Sequence, residues 1–332
     1  MRKTMTLMLF ALFLGCTEEN GGNEAAPKEA VAGLGPIIGE CEIDGVYAYY
    51  GEEGEPPQNG RLSAAQVGKD NFEIHGMGRI TGYSGPGNIS LTIPPVIDGV
   101  AVTAIGAGVF RGLGLTNVSM PNTITYIAHG AFDQNLLSSV ELPDALTSIG
   151  NGAFALNQLT SVAIPDGVTH IDSGAFTLNQ LTSVVIPDSV TSIGMEVFAN
   201  NLLTHVTIPR GITSISDWSF EANRLTSITM HDDVVHIGWR AFADNQLTAV
   251  VIPNSVRIID RDAFAGNPLA NITIGANVVT GGGVIQIGDR DDPSTAVTFF
   301  TPAFDNGFDD FYLEKGRQAG TYVFSNGAWS ME

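Results

Sequence analysis

The sequence predicts a β-rich solenoid, in which the chain winds through stacked coils of equal length. Three features predict it: a strict 22-residue repeat, an apolar stretch in each repeat that alternates like a strand, and one phenylalanine per repeat. A fixed period of this length is typical of arrays whose coils contact only their neighbours, so that the array folds as one cooperative structure. The eight phenylalanines are Phe110, Phe132, Phe154, Phe176, Phe198, Phe220, Phe242 and Phe264.

Each repeat begins with the pattern Leu-x-x-Val-x-Ile, as in Leu159 to Ile164. Its β-branched residues favour a half-buried strand. Proline follows this stretch in six of the eight coils and closes the strand, because proline cannot donate to a ladder. A second apolar pair, such as Val168 and Ile171, turns the chain back, and Gly-Ala-Phe closes the coil with Phe as its largest inward side chain.

An asparagine follows the phenylalanine at the next corner in seven coils. Its amide carries two donors and an acceptor, which suits backbone groups left open where a chain bends. We therefore predict an internal ladder rather than a catalytic role. The residues are Asn135, Asn157, Asn179, Asn201, Asn223, Asn245 and Asn267.

The combined pattern, L-x-x-V-x-I-P followed by V-x-x-I-G-x-x-A-F-x-x-N, resembles the BspA-like leucine-rich repeat of bacterial surface proteins. The resemblance covers residues from about 78 to 281 and implies a right-handed leucine-rich repeat array of eight 22-residue coils, which we assign to residues 101–281. It also implies surface display and adhesion or other protein binding. It does not fix a ligand, because one fold hosts many functions.

The N-terminus carries a basic head and an apolar run from Leu7 to Leu14. This run is short for a membrane span and is typical of a signal peptide, here residues 1–15. The sequence Leu12-Phe-Leu-Gly-Cys16 resembles a bacterial lipobox, with Phe13 where leucine is usual. We predict lipidation of Cys16, which would anchor the chain to the cell envelope. The alternative is an ordinary secretory signal with a chance cysteine.

Residues 16–40 lack a periodic apolar pattern and are interpreted as a flexible tether. Residues 41–100 depart from the period and are interpreted as the N-terminal cap that a terminal coil needs. Cys41 has no partner within the chain if Cys16 is lipidated, so no disulfide framework is predicted.

Residues 282–332 are rich in Phe, Tyr and Asp and are predicted to form a C-terminal cap or small β module. Asn326-Gly327 between apolar stretches indicates a hairpin, since this pair suits a type I′ turn.

The composition excludes several function classes. The formal net charge is −20, and removal of Arg2 and Lys3 with the signal leaves 13 basic residues against 35 acidic ones, a net charge of −22. Such a surface repels phosphate backbones, so nucleic acid is excluded as a partner. Motifs of metalloproteases, α/β-hydrolases and P-loop proteins are absent, and no cofactor or metal is predicted. The group His231, Asp232, Asp233 and His236 is more typical of surface residues than of an ion site.

Two surfaces are candidates for binding. The first is a concave strand face of small, mostly hydroxylic side chains, which offers complementarity but little binding energy per residue. An inert, β-compatible surface is the alternative. Its candidate residues are Ser139, Ser161, Ser183, Val185, His205, Thr207, Thr229 and Val251.

The second candidate is a patch formed by Trp218, Trp239, Arg240 and Arg261, at the two positions before Ala-Phe in consecutive coils. These side chains are predicted to face solvent. Exposed Trp with Arg is typical of an interface core, and the arginines would steer a negatively charged or aromatic-rich protein here. Chance drift of the repeat is the alternative.

The sequence therefore predicts an exported, lipid-anchored surface protein that binds an extracellular or host protein without catalysis. A structural envelope protein without a ligand is the second hypothesis. A hydrolase in the C-terminal module is the third.

Overall fold

The computed structural model describes residues 37–43, 46–51, 71–276, 278–280, 285–287, 297–299, 308–325 and 327–331. The chain divides into two units, Met1–Gly60 and Arg61–Glu332. In the first unit, strands Ile37–Ile43 and Val46–Gly51 pair antiparallel. The second unit contains a β-solenoid of about nine turns with a spacing of ~22 residues, which confirms the predicted fold class.

The Leu-x-x-Val-x-Ile stretches form the first ladder, a set of short parallel strands. In Ser161–Ala163 the middle residue is buried and its two neighbours are exposed, as the alternation predicts. This strand pairs with Ser183–Val185 at a register of one full repeat, and other pairs follow the same rule. The strands are Ser90–Thr92, Asn117–Ser119, Ser161–Ala163, Ser183–Val185, His205–Thr207, Ser227–Thr229, Ala249–Val251 and Asn271–Ile274.

The apolar pairs that turn the chain back form a second ladder, which the sequence did not reveal as strand. Most of its strands have two residues, too few to display an alternation. Its pairing is interrupted between Ser192–Ile193 and Ser214–Ile215. The strands are Arg79–Tyr83, Ala104–Ile105, Tyr126–Ile127, Ser148–Ile149, His170–Ile171, Ser192–Ile193, Ser214–Ile215, His236–Ile237, Ile258–Ile259 and Val279–Thr280.

The Ala-Phe turns form the third side of each coil, which we call the turn edge. Here too one coil bonds to the next; for example, the Phe154 N–H donates to the Ala175 carbonyl at 2.9 Å. The eight phenylalanine rings form one continuous stack, with centroids 5.1 to 5.7 Å apart and interplanar angles of 3° to 16°. All eight rings are buried, so the predicted inward column is confirmed.

The seven corner asparagines are buried and form the predicted ladder. Asn179 is representative: its Oδ1 accepts the Leu159 N–H at 3.0 Å, while its Nδ2 donates to the Phe154 carbonyl at 2.9 Å and the Phe176 carbonyl at 3.1 Å. One amide therefore satisfies backbone groups of its own coil and of the coil before it.

Aromatic side chains cover the first phenylalanine of the stack. Phe72 and Tyr83 lie on paired antiparallel strands, Phe72–His75 and Arg79–Tyr83. Their ring centroids are 6.3 and 5.4 Å from that of Phe110, in edge-to-face arrangements. A small antiparallel pair, Val96–Ile97 with Val100–Ala101, follows.

The C-terminal segment covers the last coils with a helix and a hairpin. The helix spans Phe308–Glu314, and its Tyr312 hydroxyl donates to the Gly275 carbonyl at 2.6 Å. Strand Gly320–Ser325 pairs antiparallel with Asn271–Ile274 of the first ladder and with Ala328–Met331, which confirms the predicted hairpin. A separate antiparallel pair joins Ile285–Ile287 and Val297–Phe299. The sequence did not indicate the helix.

We predict that Asn179→Asp strongly destabilises the array. The aspartate keeps an acceptor for the Leu159 N–H but has no N–H for the two carbonyls, and it places a charge in a buried site. The free energy of unfolding should fall by about 3 kcal/mol or more in urea denaturation.

Gln180→Glu is the matched control, because it makes the same amide-to-acid change at the next, exposed residue. It should alter stability by less than about 0.5 kcal/mol. Equal effects of the two variants would show that the asparagine ladder does not hold neighbouring coils together.

Candidate functional site

The strand face lies on the first ladder, and every candidate residue that the sequence placed there is exposed. The side chains of Val185 and Val251 are 67% and 68% exposed, so this face is apolar as well as hydroxylic. His205 bonds along and across the ladder: its Nδ1 lies 3.1 Å from Ser227 Oγ and its Nε2 lies 3.2 Å from Thr207 Oγ1. The face is thus a contiguous polar surface with aliphatic spots.

A groove of about 760 Å³ opens on this face where residues 139–141 do not form a strand. Glu141 and Asp144 bring carboxylates to it, and Asn122 Nδ2 donates to Asp144 Oδ2 at 3.2 Å. Its size lies within the range of small-ligand sites. The lining side chains include Asn117, Ser119, Ser139, Glu141, Leu142 and Asp144.

The second candidate surface lies on the turn edge. Trp218 and Trp239 are half-buried rather than fully exposed, and their ring centroids are 4.5 Å apart at an angle of 52°. The Arg261 guanidinium carbon lies 4.2 Å from the centroid of the Trp239 ring. Trp239 Nε1 donates to Asp262 Oδ2 at 3.4 Å. We call Trp218, Trp239 and Arg261 the tryptophan cluster.

The backbone joins the coils that carry the two indoles, because the Trp218 N–H donates to the Trp239 carbonyl at 2.9 Å. The residue before Ala-Phe has a positive φ in each coil, and in four early coils it is glycine, as in Gly174 at 62°. Trp218 holds the same conformation at 54° and Arg240 at 51°. A left-handed conformation costs a non-glycine residue about 1 kcal/mol or more. The early coils have glycine at this position and the coils of Trp218 and Arg240 do not. This replacement of glycine, which is visible in the sequence, distinguishes these coils in addition to their tryptophans.

The expectation that Arg240 supplies free positive charge is wrong. Its guanidinium lies 2.6 Å from Glu221 Oε1 and 2.5 Å from Asp244 Oδ2, so its charge is balanced within the protein. Sequence alone did not show that the fold brings these carboxylates to Arg240. Five carboxylates lie near the cluster. Asp217 and Asp262 accept hydrogen bonds from Trp239, and Glu221 and Asp244 accept them from Arg240. Glu196 lies near Glu221, and we call these five residues the acidic rim.

Glu196 is the most perturbed carboxyl of the rim. Its burial, together with the nearby charge of Glu221, raises the pKa of Glu196 from 4.5 to about 7. Burial also raises the pKa of Glu221, while Arg240 opposes that shift. The rim therefore changes its charge close to neutral pH.

A Ser-His-Asp relay also lies on the second ladder, and sequence reasoning missed it. Ser214 Oγ is 3.0 Å from His236 Nδ1, and His236 Nε2 is 2.8 Å from Asp260 Oδ2. The signal was available, because Ser214 and His236 stand one repeat apart. In serine hydrolases the serine meets Nε2 and the aspartate meets Nδ1, so this ring is reversed.

The backbone N–H groups that flank His236 are already bonded within the sheet. The N–H groups of Val235 and Gly238 donate to the carbonyls of Thr213 and Ile215, each at 2.8 Å. They are therefore not free to stabilise an oxyanion. Ser214, His236 and Asp260 are therefore a row of hydrogen-bonded side chains along the second ladder.

The histidines near Asp232 and Asp233 do not converge. His231 Nε2 lies 2.7 Å from the Pro209 carbonyl oxygen, whereas His236 belongs to the relay. Within the part of the chain that the structure describes, no group of three or more His, Cys, Asp or Glu is arranged to hold a metal ion.

The predicted lipidation site, Cys16, lies outside the described residues, as do the signal peptide and most of the tether. Cys41 lies in strand Ile37–Ile43. A search of the described residues for a helix long and apolar enough to span a membrane finds none.

We predict that Glu196→Gln stabilises the fold at high pH. Because the pKa of Glu196 is higher in the folded state, that state binds the proton more tightly, and the free energy of unfolding falls as pH rises from 4.5 to about 7. The glutamine variant lacks this loss. It should be more stable than the parent by up to roughly 3 kcal/mol at about pH 8 and unchanged at about pH 4, as measured by urea unfolding.

Asp133, whose pKa burial raises to about 6, contributes equally to both proteins and cancels from the comparison. Glu141→Gln removes an exposed carboxylate and should leave the pH profile unchanged. Parallel profiles for Glu196→Gln and the parent would contradict the prediction.

Comparisons with known proteins agree with the repeat. The BspA type leucine rich repeat region family matches in six copies over residues 90–201 and 169–282, more than half of the chain. No curated protein matches the sequence.

Two solved structures illustrate the similarity. A leucine-rich repeat protein from Bacteroides ovatus ATCC 8483 is 26% identical, with a TM-score of 0.49 and 64% of each chain covered. A leucine-rich repeat protein from T. pallidum is 28% identical, with a TM-score of 0.48, and the match covers 53% of this chain and 87% of that one. The chain thus spans about 64% of the length of the Bacteroides protein. From the family match over its repeats, the chain belongs to the BspA-type leucine-rich repeat family.

Proposed function

We propose that this protein is a lipid-anchored bacterial surface protein that captures an extracellular or host protein without catalysis. The observation that carries the proposal is the tryptophan cluster on the turn edge. Two half-buried indoles are in contact there. They lie in coils where Trp218 and Arg240 replace the positive-φ glycine of earlier repeats. Tryptophan and arginine dominate the binding energy of protein interfaces.

The rigidity of the scaffold supports a binding role. The phenylalanine stack and the asparagine ladder fix each coil against the next, so the cluster is held in place before a partner arrives. A rigid surface loses little conformational entropy on binding, and this improves affinity. A purely structural envelope protein would gain nothing from two half-buried indoles on its surface, one of them at a residue with a left-handed backbone.

The strand face is a second candidate surface for the same function. The groove beside Ser139 and Glu141 favours it, because the groove is concave and carries both polar and apolar side chains. Short hydroxyl and aliphatic groups provide less binding energy than indoles, so we rank this face second.

The anchor hypothesis rests on the N-terminal sequence. We predict that Cys16→Ser moves the protein from the membrane fraction to the soluble fraction, because the acyl chains on Cys16 would supply the membrane affinity. Cell fractionation with immunoblotting measures this. Cys41→Ser is the matched control and should stay with the membrane. Membrane retention of Cys16→Ser would contradict the lipoprotein hypothesis.

Binding is tested by capture of extracellular proteins on immobilised protein, followed by affinity measurement with each captured species. The double variant Trp218→Ala with Trp239→Ala should lose about 2 kcal/mol or more of affinity. Ser161→Ala with Ser183→Ala on the strand face is the comparison and should retain binding. The opposite result would place the ligand on the strand face, and equal retention by both would contradict a role for the cluster.

A further inference from the structure

We propose that the partner of the tryptophan cluster is basic, an inference that rests on the proposed binding role of the cluster. A guanidinium or ammonium group of the partner stacks on Trp218, and the carboxylates of the acidic rim hold it. The charge of this partner is opposite to that of the negatively charged partner which, beside an aromatic-rich one, the sequence suggested. Three features of the molecule support this: the net charge of the site, the indole of Trp218 and an example of the same contact within the protein.

The first feature is the net charge of the site. The rim and the cluster, taken together with Arg240, contain five carboxylates and two guanidiniums, those of Arg240 and Arg261. Arg240 is already bonded to Glu221 and Asp244. The site is therefore acidic even while Glu196 is protonated and becomes more acidic once Glu196 ionises, on a chain whose formal net charge is −20. A basic segment is steered toward such a surface and an acidic one is repelled.

The second feature is the indole of Trp218. Arg261 lies over Trp239, but among the described residues no basic side chain lies over the ring of Trp218. Arg240 follows Trp218 by one repeat, as Arg261 follows Trp239. Its guanidinium, however, bonds to the carboxylates of Glu221 and Asp244 and does not lie over the Trp218 ring. Trp218 is half-buried, and the part of its ring that remains exposed is where we place the partner's cation.

The third feature is the internal example. The Arg261 guanidinium carbon sits 4.2 Å from the Trp239 centroid, within the range at which a cation is attracted by an indole face. Asp262 lies close by and accepts from Trp239 Nε1. Cation, indole and carboxylate thus already meet once in this protein.

The carboxylates around Trp218 can complete a second such contact. The Glu221 N–H donates to the Trp218 carbonyl at 3.1 Å, and the Glu196 N–H donates to the Asp217 carbonyl at 3.1 Å. The backbone of Glu221 therefore lies beside that of Trp218, and the backbone of Glu196 lies beside that of its neighbour Asp217. A guanidinium seated on the indole gains charge-assisted hydrogen bonds from carboxylates at its edge.

The test uses the full chain carrying Cys16→Ser, so that lipid does not contribute. Labelled peptides of equal length, with arginines or with glutamates separated by glycine-serine spacers, are titrated by fluorescence anisotropy. The arginine peptide should bind and the glutamate peptide should not. Trp218→Ala should weaken binding of the arginine peptide at least about tenfold, as should Glu196→Gln at about pH 8.

Asp166→Asn is the charge-matched control, because it removes one exposed carboxylate from another part of the array. It should change the dissociation constant less than about twofold. Binding of the arginine peptide to the parent should also weaken between about pH 8 and pH 5.5, as Glu196 takes up its proton beside Glu221, Asp217 and Arg240. This pH dependence should be much smaller in Glu196→Gln.

Three negative outcomes are distinct. If Trp218→Ala and Asp166→Asn weaken the arginine peptide equally, the attraction is a general property of an acidic body and the proposal is overturned. If a captured protein or the glutamate peptide depends on Trp218 while the arginine peptide does not, the partner is not basic, but the binding role of the cluster stands. If no ligand depends on Trp218, both fail.

Discussion

The buried asparagine at each corner imposes the constraint on which the rest of the array depends. Each amide bonds to the backbone of its own coil and of the coil before it, as Asn157 does with Leu137 and Phe132. A coil of another length would misplace its amide and leave buried backbone groups without partners, at a cost of several kcal/mol per coil. The strict 22-residue period is therefore a hydrogen-bonding requirement as much as a packing one. The phenylalanine stack follows from it, because equal coils place equal side chains above one another.

This constraint explains which features could be predicted. The inward phenylalanines occur in eight coils and the corner asparagines in seven, and the strand pattern of the first ladder recurs with them, so the sequence displays each of these features many times. The second ladder also repeats from coil to coil, but its strands were not predicted, because two-residue strands such as Ser148–Ile149 are too short to show an alternation of buried and exposed residues. The helix Phe308–Glu314 occurs once, outside the period, so no repeated pattern indicated it.

The candidate site was predicted in position but not in charge. Trp218 and Trp239 stood out because they interrupt a column of small residues. The state of Arg240 depended on carboxylates contributed by Glu221, nineteen residues earlier, and by Asp244 on the next corner. The place of the two tryptophans in the array follows from the 22-residue period, which recurs along the sequence. Charge balance follows from side chains that meet across coils, and a single sequence does not specify which pairs form.

The acidic rim links stability to binding in one direction. A half-buried Glu196 beside Glu221 destabilises the folded state whenever both are ionised. A cation placed on Trp218 relieves that repulsion, because it favours the ionised form of Glu196 and so lowers its pKa. The same carboxylate that weakens the free protein therefore strengthens the complex, a trade of stability for function that is common at binding sites. The solenoid tolerates this cost because each coil is held by its neighbours through contacts that lie away from the turn edge, in the asparagine ladder and the phenylalanine stack.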